Sequence, residues 1–446
     1  MAPLCDVQGL VLRSYGMDCA AFFLLRVVSA PAAKRSLGTL AVTPGTLWDE
    51  KPPFCVNVAL TFHGLAALGV AADSLKSFPE EFAAGAFTRC AEVGDVESCS
   101  PDKWDYGLGQ AGLHALVLLF AQNDETRDKQ VTALRETLLQ EGGWSEIAVL
   151  PGDVLPGSTA HFGYRDGFSQ PTIDCGLGNP VPDKQPIAPL GEFLLGYPSQ
   201  FEQFTYPVPA PDQLGRNGSF MVLRILEQDC AAFEALITHA KDRYGVDGEL
   251  LAAKMVGRWR NGTPLSVSPD SDASDQPLAP SELNQYDYAP TRDNPAAYDD
   301  RRGFRCPIGS HMRRANPRAA TIAGNAGSRH RIVRRGIPYG PPYDPANPND
   351  GIKRGLLGLF IGVSIKDQFE FLMSEWINGS TFAPGIYGTT DPILGNKTAG
   401  ENKFVIPREN SKPVVINDFP RLVTTRGSAY TFLPSITALR YIADLS

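Results

Sequence analysis

At 446 residues the chain exceeds the size, about 250 to 300 residues, at which a single hydrophobic core stops growing, so two domains or a duplicated unit is expected. An apolar share of 43% and a charged share of 20% exclude a disordered or fibrous class, and a formal charge of −8 argues against general nucleic-acid binding. Eight cysteines without any CxxC pair exclude a zinc knuckle, a thioredoxin-like site and covalent cofactor attachment through such a pair.

The N-terminus, MAPLCDVQGLVLRSYG, shows no basic stretch followed by an apolar run, so no secretory signal is visible. The longest apolar runs, Leu116 to Phe120 and Leu356 to Val363, fall well short of the ~20 residues of a membrane helix. A soluble, cytoplasmic protein without a membrane partner is expected. Four times an apolar run of strand length precedes an amphipathic segment. Ala20 to Val28 precedes Ala32 to Leu40, and His114 to Ala121 precedes Asp124 to Glu141. In the second half Ser219 to Leu226 precedes Ala231 to Ala240, and Leu356 to Ile365 precedes Lys366 to Ile377. This pattern predicts an α+β chain of two similar ferredoxin-like units, antiparallel sheets with helices packed on them, divided into 1–212 and 213–446.

Gly107 to Gly112, GLGQAG, matches the phosphate-binding GxGxxG pattern formally, but no strand precedes it and His114 to Ala121, just after it, reads as a strand, so no dinucleotide site is expected. Two long irregular stretches, Pro151 to Pro211 and Gly262 to Pro348, are of the kind that carries function. In the first, FGYRDGFSQPTI sets Asp166 between two glycines, where a tight turn confines a carboxylate; from spacing alone a simple turn cap is the better reading. In the second, Pro269 to Asp300 holds eight acidic residues and one base, whereas Arg301 to Arg335 holds ten arginines and no acid. His311 in CPIGSHMRRANPR and Arg334 in HRIVRRGIPYG lie there, either as loop residues on a solvated basic face or as partners of a buried anionic group, since an unpaired carboxylate inside a protein is costly. Haem, with two propionates and an iron that a histidine binds, is such a group.

The ordered set GYRDG with FSQP, SHMRRANPR and RRGIPYG resembles the dye-decolorizing peroxidases. The likeness continues through NVALTFHGLAALGV, GEFLLGYPSQ, RGLLGLFIGVSIKDQFEFLMSEWIN and RGSAYTFLPSITALRYIAD, and so covers nearly the whole chain. It implies a dimeric α+β barrel-like pair of domains and a non-covalently held b-type haem. His311 would be the iron ligand, with its other ring nitrogen oriented by Asp391. Asp166 would move the peroxide proton from one oxygen to the other, and Arg334, two residues before Gly336, would stabilise the charge that develops as the O–O bond breaks. Arg313, Arg314 and Arg318 would be candidates for the propionates.

The same resemblance puts Leu356 above the distal face, with Gly358 where relatives carry a phenylalanine, a loss expected to open the peroxide side. Trp376 and Tyr339 match places where aromatics pass oxidising equivalents to bulky dyes at the surface. Hydrogen peroxide and aromatic reductants are the implied partners of a monomer or small homo-oligomer. A haem-handling protein with incidental peroxidase activity is the runner-up, and a cofactor-free interaction module would leave the arginine segment unexplained.

Overall fold

Apolar runs of strand length become strands with little exposure on either face: all of ALVLLFA and the first seven residues of CAAFFLLRV are buried. The computed structural model describes residues 3–445 apart from 166, 168, 177–186, 201–203, 293, 319–328, 397–402 and 418. Strands β1 (Cys19–Val27), β2 (Phe54–Leu60), β3 (Ala115–Ala121) and β4 (Trp144–Asp153) pair antiparallel in the order β4–β1–β3–β2. The short strands β5 (Ile173–Asp174) and β6 (Ala188–Pro189) form a parallel pair in the connection to the second half.

The second half contributes β7 (Ser219–Gln228), β8 (Val333–Arg334), β9 (Ile337–Tyr339), β10 (Gly355–Gly362), a separate β11 (Lys403–Ile406) and β12 (Val414–Asn417) pair, and β13 (Val423–Leu433). Its order is β13–β7–β10, with β8 and β9 both on the outer edge of β10. Counting β8 and β9 as one strand broken at Arg335 and Gly336, each half has the order 4–1–3–2 of a ferredoxin-like unit, as the repeated pattern predicts. Helix Ala30–Thr39 follows β1, Asp124–Leu139 follows β3, Cys230–Thr238 follows β7, and π-helical turns at Ile365–Glu370 and Leu372–Ile377 follow β10. Asn123 and Asp229 start two of these helices by accepting the N–H groups of Thr126 and Ala232. Gly107 to Gly112 leads into β3 rather than into a helix, so it makes no phosphate cradle.

The two units share one nine-stranded sheet, joined where Phe432 of β13 pairs with Leu60 of β2. At the other ends β4 meets β9 so closely that a side-chain carbon at Gly152 would lie 3.2 Å from the Pro338 carbonyl oxygen, and the sheet closes into a barrel. Leu37, Leu134 and Leu138 of the helices join Phe22, Phe23 and Leu118 of the strands in the main core.

Buried ion pairs also tie the halves. Arg224 of β7 makes a two-pronged contact with Asp95, with Nη2 2.8 Å from Oδ1, and also donates to Thr425. Arg89 donates to both Glu370 oxygens at 2.5 and 2.6 Å, and the Tyr430 hydroxyl adds a third bond at 3.0 Å. Asp95→Ala would strand a buried guanidinium, and a loss of about 3–5 kcal/mol in denaturant unfolding is expected. A loss under about 1 kcal/mol would mean that Arg224 finds water instead.

Glu192, in GEFLLGYPSQ, is fully buried, and Oε1 accepts the Gln200 N–H at 2.8 Å. Burial pushes its carboxyl up, against the opposing pull of that N–H and of Arg331 and Arg329. The folded chain thus holds this proton more tightly than the unfolded one, so the stability it contributes falls as pH rises above the ordinary glutamate value of about 4.3. Glu192→Gln should therefore gain stability over wild type as pH rises above about 4.3, read as a difference in thermal midpoint that widens until the folded carboxyl ionises; a constant difference would contradict this.

Candidate functional site

His311 opens a five-residue helix, His311–Ala315, too short to hold itself. Its neighbours hold it. Arg313 is fully buried, donates to the Cys306 carbonyl at 2.6 Å and the Asp300 carbonyl at 2.7 Å, and lies 4.4 Å above the Tyr288 ring. Arg314, equally buried, donates to the carbonyls of Trp376, Gly379 and Thr389 at 2.6 to 3.0 Å, and burial pushes its guanidinium down to about 10. Both were expected at haem propionates. They anchor the helix instead, since their donors are directed at loop carbonyls on two sides of it.

The anchored helix brings His311 Nδ1 to 2.9 Å from Asp391 Oδ2. Asp391 is fully buried, and its Oδ1 accepts the Ile393 and Leu394 N–H groups at 2.8 Å each. Burial alone would raise its carboxyl, but the His311 imidazole, the Leu394 N–H and Arg314 together hold it below the usual carboxylate range. An ionised carboxylate at Nδ1 fixes the ring proton there and leaves the lone pair on Nε2, the atom that a metal takes.

Arg334 ends β8, where its N–H donates to Gln170 Oε1 at 3.0 Å and Nη2 to the Ser169 carbonyl at 3.4 Å. Ser169 and Gln170 thus hold Arg334 by its guanidinium and by its backbone. Arg335 takes a separate path: it is buried, donates to the Leu10 carbonyl at 3.0 Å, and burial pushes it down to about 10. Asp166 lies outside the described residues, between Arg165, which bridges to Thr159, and Gly167, whose φ of 93° is open to glycine.

Two arginines join Arg334 at Ser169. Arg258 Nη2 reaches Ser169 Oγ at 3.0 Å, and Arg318 Nη2 sits 3.5 Å from the same oxygen and 2.6 Å from Asn284 Oδ1. Arg318 stacks 3.7 Å over Tyr286. Three cations at one serine make a strongly positive corner, suited to a carboxylate-bearing group. Arg318 was among the residues expected there; Arg258 was not, because it lies outside the arginine-rich segment and nothing in GRWRNG marks it.

Leu356, the Asp391 loop residues Ile393 and Leu394, and Phe162 and Tyr164 of the loop before Asp166 all pack in one apolar cluster. Histidine, carboxylate, arginine corner and apolar wall thus fit a flat metal-bearing group with anionic arms.

At Gly358 the expected opening is filled. A side-chain carbon there would lie 2.9 Å from the Phe360 ring, which folds back along the strand over the glycine. Trp376 is only 7% exposed and is ringed by His330, Phe371 and Phe382 at centroid separations of 5.4, 5.5 and 6.5 Å, so it is no surface aromatic. Tyr339 is half-buried, and its carbonyl accepts from His161 Nε2 at 2.8 Å. Among the described residues no helix is long and apolar enough to cross a membrane.

Residues 42–156 match the model of the DyP dimeric alpha+beta barrel domain. A dye-decolorizing peroxidase of Mycena epipterygia is 31% identical over 89% of this chain and 77% of its own length. A multifunctional dye peroxidase of an Amycolatopsis strain is 30% identical over 86% of this chain and 81% of its own. Among solved structures, a dye-decolorizing peroxidase in complex with 2,6-dimethoxyphenol superposes with a TM-score of 0.82 at 26% identity, covering 99% of this chain and all of that one.

Removing the carboxylate behind a metal-binding histidine typically lowers affinity for the metal group by about 10- to 100-fold. Asp391→Ala should weaken haem uptake by that factor in titrations of the cofactor-free protein; unchanged uptake with an intact circular dichroism spectrum would contradict the arrangement.

Proposed function

Since this chain belongs to the dye-decolorizing peroxidase family, and is thus a peroxidase that oxidises dyes, we propose that it works with a non-covalently held b-type haem carried mainly by 213–446, the half that comes after 1–212. The observation that carries this reading is the His311 to Asp391 hydrogen bond of 2.9 Å on a helix locked by two buried arginines. His311 Nε2 would take the iron, and Arg258 and Arg318 would face the propionate end, with Leu356 on the apolar wall. The bound haem supplies the iron at which hydrogen peroxide is reduced and from which phenols or dyes are oxidised.

The protein's own part is to place charge and move a proton. Asp166, in the loop that carries Ser169 and Gln170, shifts the peroxide proton from one oxygen to the other, so that water is the leaving group. Arg334, fixed by Gln170 and Ser169, stabilises the negative charge as the O–O bond opens. A fixed guanidinium costs no reorganisation at that moment. Small phenols of the kind bound by the relative, such as 2,6-dimethoxyphenol, are proposed reductants. For bulky dyes, half-exposed Tyr339 is the better placed of the two aromatic outlets, Trp376 lying beneath other rings.

The purified protein should show a Soret band that is lost or shifted in His311→Ala. With one equivalent of peroxide, the reaction should slow by about 10²- to 10⁴-fold in Asp166→Asn and by about 10²- to 10³-fold in Arg334→Leu, with the Soret band intact. Colourless protein that takes up no haem would refute the reading, and unaltered rates in both variants would leave a haem carrier.

A further inference from the structure

The register of the sheet fixes which side chains share the face of Arg334. Arg334 of β8 pairs directly with Phe360 of β10, and strand alternation puts Leu356, Gly358 and Phe360 on that same face. Directly opposed residues have Cβ atoms about 4.5 to 5.5 Å apart, so the Phe360 side chain starts beside that of Arg334. The ring does not stand straight off the sheet. It lies along the strand over Gly358, its Cε2 and Cζ at 2.9 and 3.1 Å from the point that a side-chain carbon would occupy. Gly358 therefore serves as the seat of the ring.

Behind, the ring is braced. Phe369 lies 5.6 Å away, and the Arg224 guanidinium sits 5.6 Å from the Phe369 ring. Arg224 is in turn held by Asp95 and Thr425. In front Phe360 is only half-buried, although Phe369 and Arg224 behind it are buried. A molecule that approaches Arg334 along this strand face meets an aromatic ring with a rigid support.

We propose that Phe360, seated on Gly358, limits the size of the aromatic molecule admitted beside Arg334. Small ligands pass it, whereas a molecule with an added ring is excluded. This rests on the haem-site reading above. Truncation would bare the backbone of Gly358 and leave a trough about the size of one aryl ring, so molecules that carry one ring more than the wild type admits are the class that gains entry.

The test is a binding measurement on haem-loaded protein, tracking the Soret shift with imidazole and with 4-phenylimidazole. Burying one phenyl ring is worth about 1.5–3 kcal/mol, so Phe360→Ala should raise affinity for 4-phenylimidazole by about tenfold or more. Imidazole affinity should stay within about twofold. Phe360→Leu, a milder truncation less prone to disturb folding, should shift the preference in the same direction by less. The Gly358→Phe/Phe360→Gly double variant, which moves the ring one alternation back, should restore exclusion. Unchanged 4-phenylimidazole affinity in both Phe360→Ala and Phe360→Leu, with imidazole bound normally, would overturn the proposal. Wild-type protein with no imidazole-dependent Soret change would instead overturn the haem site itself, and the size limit with it.

Discussion

The site depends on a five-residue helix that could not stand alone, held by two buried guanidinium groups. Arg313 and Arg314 come two and three residues after His311, so they leave the helix in different directions, and each meets loop carbonyls. A guanidinium offers five donors in a fixed fork and suits such a role better than an ammonium group. The lock has a consequence for chemistry: it sets the ring of His311 against Asp391, whose own carboxylate is gripped by two backbone N–H groups. The position of one imidazole is thus determined through carbonyls at residues 300, 306, 376, 379 and 389.

The barrel supplies the opposing wall. Because β8 and β9 are one edge strand broken at Arg335 and Gly336, Arg334 remains in the ladder with β10 while the next side chain turns away to the carbonyls of Leu10 and Val11. Arg334 ends β8 and Arg335 lies in the break, so one side chain stays beside Ser169 and the other ties the second half to the N-terminal segment. Among the described residues the first half has no such break in its edge strands, and His311, Arg334 and the Asp391 loop all come from the second.

Much of this was legible in the sequence. Strands buried on both faces leave unbroken apolar runs, which is why β1, β3, β7 and β10 and the helices after them could be placed, and with them the repeated unit. Short pieces such as β8 and β9 carry no period to read. The family motifs pointed to His311 with Asp391, side chains 80 residues apart that no local pattern connects. Side-chain direction was not legible. Arg313 and Arg314 read as propionate candidates because a sequence shows the cation and not the carbonyls it meets. The resemblance put Trp376 at a surface outlet, whereas in the folded chain it sits in a π-helical turn beneath His330, Phe371 and Phe382. Gly358 looked like a gap because the ring that fills it belongs to a residue two places on.

The division of charge along the chain acquires a meaning in three dimensions. The acid-rich stretch ending at Asp300 and the acid-free arginine stretch after it would repel any single ligand in opposite senses, yet Asp300 pairs with Arg313, and Asp367 pairs with Arg329. Part of the positive charge is therefore neutralised or directed at carbonyls. The set that gathers at Ser169 is smaller: Arg258, Arg318 and Arg334, drawn from three separate segments. The count of arginines in one window overstated the cationic corner and missed Arg258. Convergence on a single serine, rather than abundance in sequence, is the feature that distinguishes a site for an anionic group from a basic surface.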